Sequence, residues 1–269
     1  MNKTYRKYHI YANDNEISDR ITKEVKEKMA AAGYEYSDTE KGADLIFCIG
    51  GDGALLRLLR KYDFPETPIV GINTGHLGFF QEITMDGIDE LIRMLDSGEY
   101  HVQEYIGLQT DVYTDAGKTT YLSINEIVVR GDGERLLHLG VRVGDNEITR
   151  FSGDGILVCT PAGSTAYNYS LGGVIVDPEV DMLQITPMAP VNNIAYRSFT
   201  SGLIVPTHTS IEIFPVDNED KTVSIIQDGR VVVRGDVKKI VISVAERKAH
   251  IVRFKNYNFW KKVTDKIIG

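Results

Sequence analysis

The first hundred residues alternate between short apolar runs and longer stretches in which apolar side chains recur every three or four positions. Residues 7–12, 43–49 and 68–73 are the apolar runs, and each predicts a strand. The periodic stretches predict two amphipathic helices, marked by Ile17, Ile21, Val25 and Met29 and by Ile88, Leu91, Ile92 and Leu95. A glycine suited to a left-handed cap follows each helix, Gly33 and Gly98. Alternating strands and helices predict βαβ crossovers and a parallel sheet.

From about residue 101 the helical period is replaced by a succession of short β-rich runs separated by turn signals. This pattern is typical of an antiparallel sandwich or meander. We expect one helix near 164–171 and a helical tail over 258–268. The predicted strands are 108–113, 121–130, 136–143, 155–160, 210–216, 222–227, 231–234, 240–244 and 250–254.

The pattern therefore predicts two domains. Residues 1–100 form an α/β N-terminal domain with a parallel sheet, and residues 101–254 form a β-rich, antiparallel sandwich-like C-terminal domain. We expect the tail, residues 255–269, to return and pack on the first domain. A chain of 269 residues is long enough to bury a core in each.

Composition narrows the functional classes. The net charge is −8, from 38 acidic and 30 basic residues, which disfavours nucleic acid as a partner because an acidic surface repels phosphates. No stretch approaches the ~20 apolar residues of a membrane helix, and no secretory signal opens the chain. Cys48 and Cys159 lie in apolar runs and read as buried, reduced thiols. We therefore expect a cytoplasmic protein without a membrane partner.

A glycine-rich loop is the strongest chemical signal. Gly50, Gly51 and Gly53 surround Asp52 between an apolar β run and a helical run, at the edge where open α/β sheets bind ligands. Glycines let backbone amides approach a phosphate, and a carboxylate there suits proton abstraction or a metal ion. The alternative is a tight turn in which Asp52 caps the helix.

Two further signals lie in the second half. Asn125 and Glu126 interrupt an apolar β run, where Glu126 could accept hydrogen bonds from two ribose hydroxyls; the alternative is an outward-facing pair on an edge strand. The stretch 153–173 places glycines and hydroxyl residues before a predicted helix start, with Tyr167 as an aromatic surface for a base. Its alternative is an ordinary capped helix.

Other motifs are weaker. Residues 117–119 resemble the end of a P-loop, but Val112 stands where its first glycine is required, so a hairpin turn is expected. Residues 131–133 also read as a turn. No Gly-x-Gly-x-x-Gly opens a helix, and the six histidines are scattered without zinc spacing.

Together these segments resemble the NAD kinase family in its bacterial form. The shared residues are 50–53, 73–80 (Asn-Thr-Gly-His-Leu-Gly-Phe-Phe), 125–126, 153–155 and 160–167 (Thr-Pro-Ala-Gly-Ser-Thr-Ala-Tyr). The resemblance implies ATP or polyphosphate as donor, Mg²⁺ as the most suitable divalent metal, NAD bound between the domains, and a homotetramer. It implies NADP as the product.

The resemblance also implies roles for individual residues. Asp52 would activate or orient the adenosine ribose 2′-hydroxyl, and the glycines 50, 51 and 53 would bind phosphate. The residues expected to contact NAD are Asp52, Gly53, Phe80, Asn125, Glu126, Asp154, Ser164, Thr165, Ala166, Tyr167, Ser170, Ala189 and Asp228.

Two positions depart from the family pattern. Ala54 replaces the usual threonine and removes a hydroxyl near the phosphates, and Ser152 replaces an arginine found in several relatives. Two other functions stay open at this point: a lipid or sugar kinase with the same glycine loop, of the diacylglycerol kinase type, and a non-catalytic NAD-binding sensor. The metal ligands are not predicted.

Overall fold

The computed structural model describes residues 4–75, 78–131, 136–194, 197–216 and 222–269. His76 and Leu77 of the shared motif, and most of the turn expected at 131–133, lie outside these ranges. The chain divides into two compact units, Met1–Tyr105 with Arg247–Gly269 and Ile106–Glu246. Residues 247–254, assigned to the second domain from the sequence, belong to the first unit.

The first unit contains a parallel sheet with helices attached. Its strands run in the order β17, β4, β3, β1, β2, and every pairing among them is parallel, with β5 also pairing with β4. All five residues of β3 are buried, as expected for a strand covered on both faces. The elements are β1 (Lys7–Ala12), α1 (Glu16–Ala31), β2 (Glu35–Tyr36), β3 (Leu45–Ile49), α2 (Asp52–Lys61), β4 (Ile69–Asn73), β5 (Ile83–Thr84), α3 (Ile88–Ser97), the end of β17 (Lys239–Phe254) and α5 (Phe259–Val263).

The second unit consists of antiparallel pairings in two sheets. One contains the β6–β7 hairpin and β10, β9, β14 and the start of β17; the other runs in the order β13, β12, β11, β8, β15, β16. Buried side chains from both sheets form one hydrophobic cluster, the arrangement of a sandwich. The strands are β6 (Tyr100–Thr114), β7 (Gly117–Ser123), β8 (Glu126–Gly131), β9 (Leu137–Val143), β10 (Asn146–Gly153), β11 (Gly155–Cys159), β12 (Met182–Met188), β13 (Leu203–Pro206), β14 (Ile211–Pro215), β15 (Thr222–Gln227) and β16 (Arg230–Asp236).

The predicted fold class, an α/β domain followed by a β-rich domain, is confirmed. The hairpin expected at 117–119 is present, but its turn lies at 115–116, and 117–119 begin β7, which pairs with β6. In α1, however, Ile17 is 47% exposed, whereas Ser18 is buried with Ile21, Val25 and Met29. Because an α-helix has 3.6 residues per turn, residues spaced by four positions shift gradually around its surface. Ile17 therefore lies outside the buried face.

Several predicted elements in the second half have different limits. The run 121–130 is two strands in different sheets, β7 and β8, while 240–244 and 250–254 are one strand, β17. The helix expected at 164–171 is a 3-10 turn, Ala162–Thr165, and the short helix α4, Tyr167–Ser170. Strands β10, β12 and β13 were not predicted. In β12 all residues are buried, but its glutamine and proline interrupt the apolar run.

Candidate functional site

The glycine loop joins β3 to α2 in the first unit. Gly50 has a φ of +150°, and a Cβ atom there would lie 2.6 Å from the Cβ of Ala54, so position 50 requires glycine. Helix α2 begins at Asp52, and its N-cap is Gly51, which has no side chain that could accept a capping hydrogen bond. The interpretation of Asp52 as a helix cap is therefore wrong, and its carboxylate is used elsewhere.

The Asp52 carboxylate is fixed by two backbone N–H groups that follow β4. The N–H of Phe79 donates to Oδ2 at 2.8 Å, and that of Phe80 donates to Oδ1 at 3.0 Å. A Cβ atom at Gly78 would lie 1.9 Å from Asp52 Oδ1, so only glycine admits this approach. Each oxygen keeps a lone pair for a further donor, and the half-buried carboxylate is held in one orientation.

The start of α2 offers groups suited to an anion. Gly53 is exposed, and the first N–H groups of a helix have no acceptor within the helix. A Cβ atom at Gly53 would lie 3.5 Å from Nη1 of Arg57, whose Nη2 donates to the Oδ1 of Asn13 at 2.5 Å. Ala54 is 1% exposed, so this departure from the family pattern changes the packing beneath Gly50.

Asn125 and Glu126 form a buried polar pair at the start of β8 in the second unit. They are 8% and 5% exposed, and β8 lies between β11 and β15. The alternative of an outward-facing pair on an edge strand is therefore wrong. Within the described part of the chain, Asn125 Oδ1 and Glu126 Oε2 have no hydrogen-bond partner. Buried polar atoms without partners are costly, and ligand hydroxyls would satisfy both.

The Glu126 carboxyl lies in an environment that disfavours its charge. Burial, and secondarily the negative charge of Asp228, raises its pKa to about 8. Asp228 lies in the β15–β16 turn with φ of +43°, and its carboxylate accepts the N–H groups of Ile124, Asn125 and Glu126 at 3.2, 2.9 and 3.2 Å. Asp228 thus holds the backbone that carries the polar pair.

The turn after β11 packs directly on Asn125. The N–H of Thr160 donates to the carbonyl of Asn125 at 3.0 Å, and a Cβ atom at Gly163 would lie 2.1 Å from that carbonyl oxygen. Ser164 is fully buried, with its hydroxyl bonded to both backbone groups of Val176, which indicates a structural role. Further along the turn, Thr165 and Ala166 are half-buried, Ser170 is exposed and Tyr167 is 41% exposed.

Of the predicted residues, Asp154 and Ala189 do not join these clusters, and Phe80 joins only through its backbone N–H. Asp154 precedes β11, and its N–H donates to the carbonyl of Met188, the residue before Ala189, at 3.0 Å. Glu126 pairs with Cys159 at the other end of β11. Asp154 is therefore separated from Glu126 by the length of β11, roughly 13 Å at 3.3 Å per residue. The Phe80 side chain is 5% exposed and packs edge-on against Tyr105, so Phe80 reaches the site through its backbone.

Other expectations concern residues away from these clusters. Ser152 is buried, with its Oγ 2.8 Å from His138 Nδ1, so it offers no free contact to a ligand. Cys48 and Cys159 are free and buried. Across the described ranges, no group of three or more His, Cys, Asp or Glu side chains is placed to hold a metal ion. No helix among the described residues has the length and apolar character to cross a bilayer.

Sequence reasoning missed some residues that shape the site. Gly78 could have been found from its place in the shared motif, although its contact with Asp52 could not. Asn168, fully buried, donates to the carbonyls of Ser164 and Val174 and accepts from Thr186. A buried asparagine beside glycines is a weak sequence signal, and its partners lie on other elements.

Comparisons with known proteins agree over the whole chain. Residues 5–100 match the ATP-NAD kinase N-terminal domain, and residues 124–254 match the ATP-NAD kinase C-terminal domain. The chain is 37% identical to the NAD kinase of Finegoldia magna, with all of both chains covered, and 35% identical to NAD kinase 1 of Listeria monocytogenes, covering 97% of this chain and 99% of that one.

Solved structures show the same fold. The NAD kinase of Archaeoglobus fulgidus in complex with ATP superposes with a TM-score of 0.78 at 25% identity, covering 98% of each chain. Yeast NADH kinase complexed with NADH superposes with a TM-score of 0.83 at 19% identity, covering 98% of this chain and 87% of that one.

Proposed function

The chain belongs to the ATP-NAD kinase family, and we propose that Asp52 is the residue that activates the adenosine ribose 2′-hydroxyl of NAD for phosphorylation. The protein is an NAD kinase, a phosphotransferase. In the proposed step, the 2′-oxygen bonds to the terminal phosphorus of ATP as the bond to the ADP oxygen breaks. The proton of the hydroxyl passes to the Asp52 carboxylate, and NADP and ADP leave.

The held carboxylate of Asp52 is the observation that carries this proposal. A general base must meet the attacking hydroxyl in one orientation, and the N–H groups of Phe79 and Phe80 supply that orientation. Phosphoryl transfer depends mainly on positioning and on neutralising the charge of the phosphates. A glycine-bordered helix start directly beside the base supports both needs.

Phosphate binding is proposed for the glycines and for one cation. The backbone of Gly51 and Gly53 allows close approach, whereas Gly50, whose N–H donates to the carbonyl of Ile72 at 2.9 Å, would shape the loop. Arg57 beside Gly53 adds a positive charge that sequence analysis had not singled out. Replacing Arg57 would be expected to weaken ATP binding more than NAD binding.

Mg²⁺ is the proposed metal, brought in with ATP. Magnesium is commonly bound through one or two carboxylates together with substrate phosphates rather than by an all-protein cage, and Asp52 is a single carboxylate beside the phosphate loop. The loop therefore offers one carboxylate, Asp52, that would help to hold a Mg²⁺ ion carried by the nucleotide phosphates. Bound there, the ion would neutralise phosphate charge.

NAD recognition is proposed for the polar cluster of the second unit. Asn125 Oδ1 and Glu126 Oε2, both buried and without a partner among the described residues, would accept hydrogen bonds from ribose hydroxyls. Tyr167, Thr165 and Ala166 would surround adenine. Asp154, Ser170 and Ala189 would contact other parts of the dinucleotide, Phe80 would line the acceptor site, and Ser164 and Asp228 would support the pocket.

Substitution of Asp52 tests the proposed role. D52N keeps the size of the side chain but removes the base, so NADP formation with NAD, ATP and Mg²⁺ is expected to fall by about 10²–10⁴. D38N, at an exposed loop position, is the matched control and should retain full activity. Activity near that of the unchanged protein in D52N would refute the role given to Asp52.

Donor range and assembly are finer proposals that rest on family resemblance. We propose that ATP is the principal donor and that the protein is a cytoplasmic homotetramer. Polyphosphate is compared with ATP as the donor in the same assay. The relatives support the NAD kinase assignment and give no support to a lipid kinase or a non-catalytic sensor. Light scattering of the purified chain tests the tetramer, and a dimer or monomer would contradict it.

A further inference from the structure

Two basic residues near the C-terminus form hydrogen bonds to the backbone segment that orients Asp52. This segment, residues 79–81, lies in the first unit with both of them. Arg253 donates to the carbonyl oxygens of Phe79 at 3.2 Å and Phe80 at 3.0 Å, and Lys262 donates to those of Phe79 at 3.3 Å and Gln81 at 2.5 Å.

Peptide geometry links these contacts to Asp52. In a trans peptide the C=O and the following N–H point in opposite directions. The carbonyl of Phe79 and the N–H of Phe80 belong to one such unit. Holding the carbonyl toward Arg253 and Lys262 therefore turns the N–H toward Asp52, to which it donates at 3.0 Å.

Arg253 is itself rigidly held. It is completely buried, and its remaining N–H groups donate to Glu82 at 2.9 Å, Tyr105 at 2.6 Å and Gln103 at 3.1 Å. Its guanidinium carbon also lies 4.1 Å from the ring centroid of Tyr257. All five N–H donors of an arginine thus have acceptors, so the group cannot shift without losing a hydrogen bond in a dry environment.

We infer that Arg253 and Lys262 are positioning residues for phosphoryl transfer, which fix the 79–81 segment so that its N–H groups orient the Asp52 carboxylate. This inference rests on the proposed role of Asp52. Neither residue belongs to the motifs that carry the family resemblance, and both lie about two hundred residues after the glycine loop.

The charge of Lys262 gives this arrangement a pH dependence. Burial, followed by the nearby charge of Arg253, lowers the pKa of Lys262 to about 8, with a smaller contribution from Lys266. Glu82 and Asp52 oppose the shift, and the Tyr257 ring lies 5.0 Å from Nζ. As the pH rises through about 8, Lys262 loses its charge and its hold on the carbonyls weakens.

Substitution at position 262 tests the inference, and methionine keeps most of the apolar stem of this largely buried side chain. K262M is expected to lower kcat by about tenfold to a hundredfold, as for a small misplacement of a catalytic group, with KM for NAD and ATP nearly unchanged. K262R keeps its charge at high pH, so it should restore most of kcat and move the alkaline fall of kcat above pH 8. K261M, at the exposed neighbouring position, should change neither quantity.

A second measurement separates this inference from the role of Asp52. In protein labelled with ¹⁵N-phenylalanine, the amide resonances of Phe79 and Phe80 should move in K262M and in R253K, and not in K261M. If D52N is fully active while K262M moves these resonances, the role of Asp52 fails and the contact stands. Unchanged resonances or unchanged kcat in K262M, or an alkaline limb that K262R leaves in place, overturn the inference.

Discussion

At the scale of single residues, two carboxyl groups show how burial and hydrogen bonding assign different tasks to the same chemistry. The Asp52 carboxylate accepts two backbone N–H groups, which fix its direction. Glu126 instead is buried with Oε2 lacking a partner within the described residues. Such a site is costly for the free protein and is repaid when a ligand donates hydrogen bonds, a trade-off common at binding sites.

The raised pKa of Glu126 predicts a measurable pH dependence of stability. Between its ordinary value of 4.5 and about 8, the unfolded chain is ionised at this position while the folded chain holds a proton. Folding stability therefore falls as the pH rises through this window and levels off above 8. We expect E126Q to lose this decline, so that its melting temperature relative to the unchanged protein rises between pH 4.5 and 8.

The same substitution should weaken NAD binding, because hydroxyls that donate to Glu126 favour its ionised form, in which both oxygens accept, whereas an amide has one acceptor oxygen and an NH₂ donor. E179Q, at an exposed glutamate of the same unit, serves as the control for both measurements. If the two variants melt in parallel across this pH range, Glu126 is not the buried acid described here.

At the scale of elements, the functional groups lie on loops and turns, and the strands and helices hold those loops in position. The backbone at Ile124 and Asn125 connects β7 to β8, which lie in different sheets, so these two residues fall outside both ladders, and Glu126 begins β8 opposite Cys159. Asp228 accepts the N–H groups of Ile124, Asn125 and Glu126, and Thr160 Oγ1 donates to the Ile124 carbonyl at 2.5 Å. Buried backbone groups require such partners, and here they come from two other turns.

Asp228 therefore tests how one turn positions the start of a neighbouring strand. D228A removes the acceptor of three N–H groups, and we expect a loss of stability of about 1–3 kcal/mol and a larger KM for NAD. D228N keeps one carbonyl oxygen and should lie between D228A and the unchanged protein in both measurements. Urea unfolding and steady-state kinetics give the two values.

The contrary result would be a D228A protein with an unchanged KM for NAD. In that case the three hydrogen bonds stabilise the strand start without shaping the polar pair, and the contribution of Asp228 is purely structural.

At the scale of the whole molecule, the first unit is assembled from two segments far apart in sequence. Residues 247–269 join residues 1–105, with Ile251 of β17 beside Ile69 of β4. Beyond β17, Phe259 and Val263 of α5 are 8% and 1% exposed. The tail thus completes the core of the unit that carries the glycine loop.

Truncation after Phe254 should therefore damage both stability and catalysis. Each large apolar side chain that is fully buried contributes about 1.5–3 kcal/mol, and the truncation also removes Lys262. We expect a clearly lower urea midpoint and a strongly reduced rate of NADP formation. Removal of only Ile268 and Gly269, both exposed, is the control and should leave both near normal; equal behaviour of the two truncated proteins would contradict this account.

The sequence by itself determined the fold class, most strands of the first unit, and the motifs that contain the glycine loop and the Asn125–Glu126 pair. These features are encoded locally, in apolar periodicity, in glycines and in polar residues within apolar runs. The predictions from the sequence were wrong where an assignment depends on which distant strands pair. The run 121–130 reads as one strand until the partners of its backbone are known, and β17 reads as two.

Only the tertiary structure decided what each functional group touches. It showed that the carboxylate of Asp52 meets amides 27 and 28 residues away, that Glu126 lies in an interior strand, and that Arg253 and Lys262 hold the segment facing Asp52. Contacts between remote residues depend on how elements pack, and no local period records them. The pattern along the chain therefore determines many of the elements, while the orientation of the reacting groups depends on the tertiary structure.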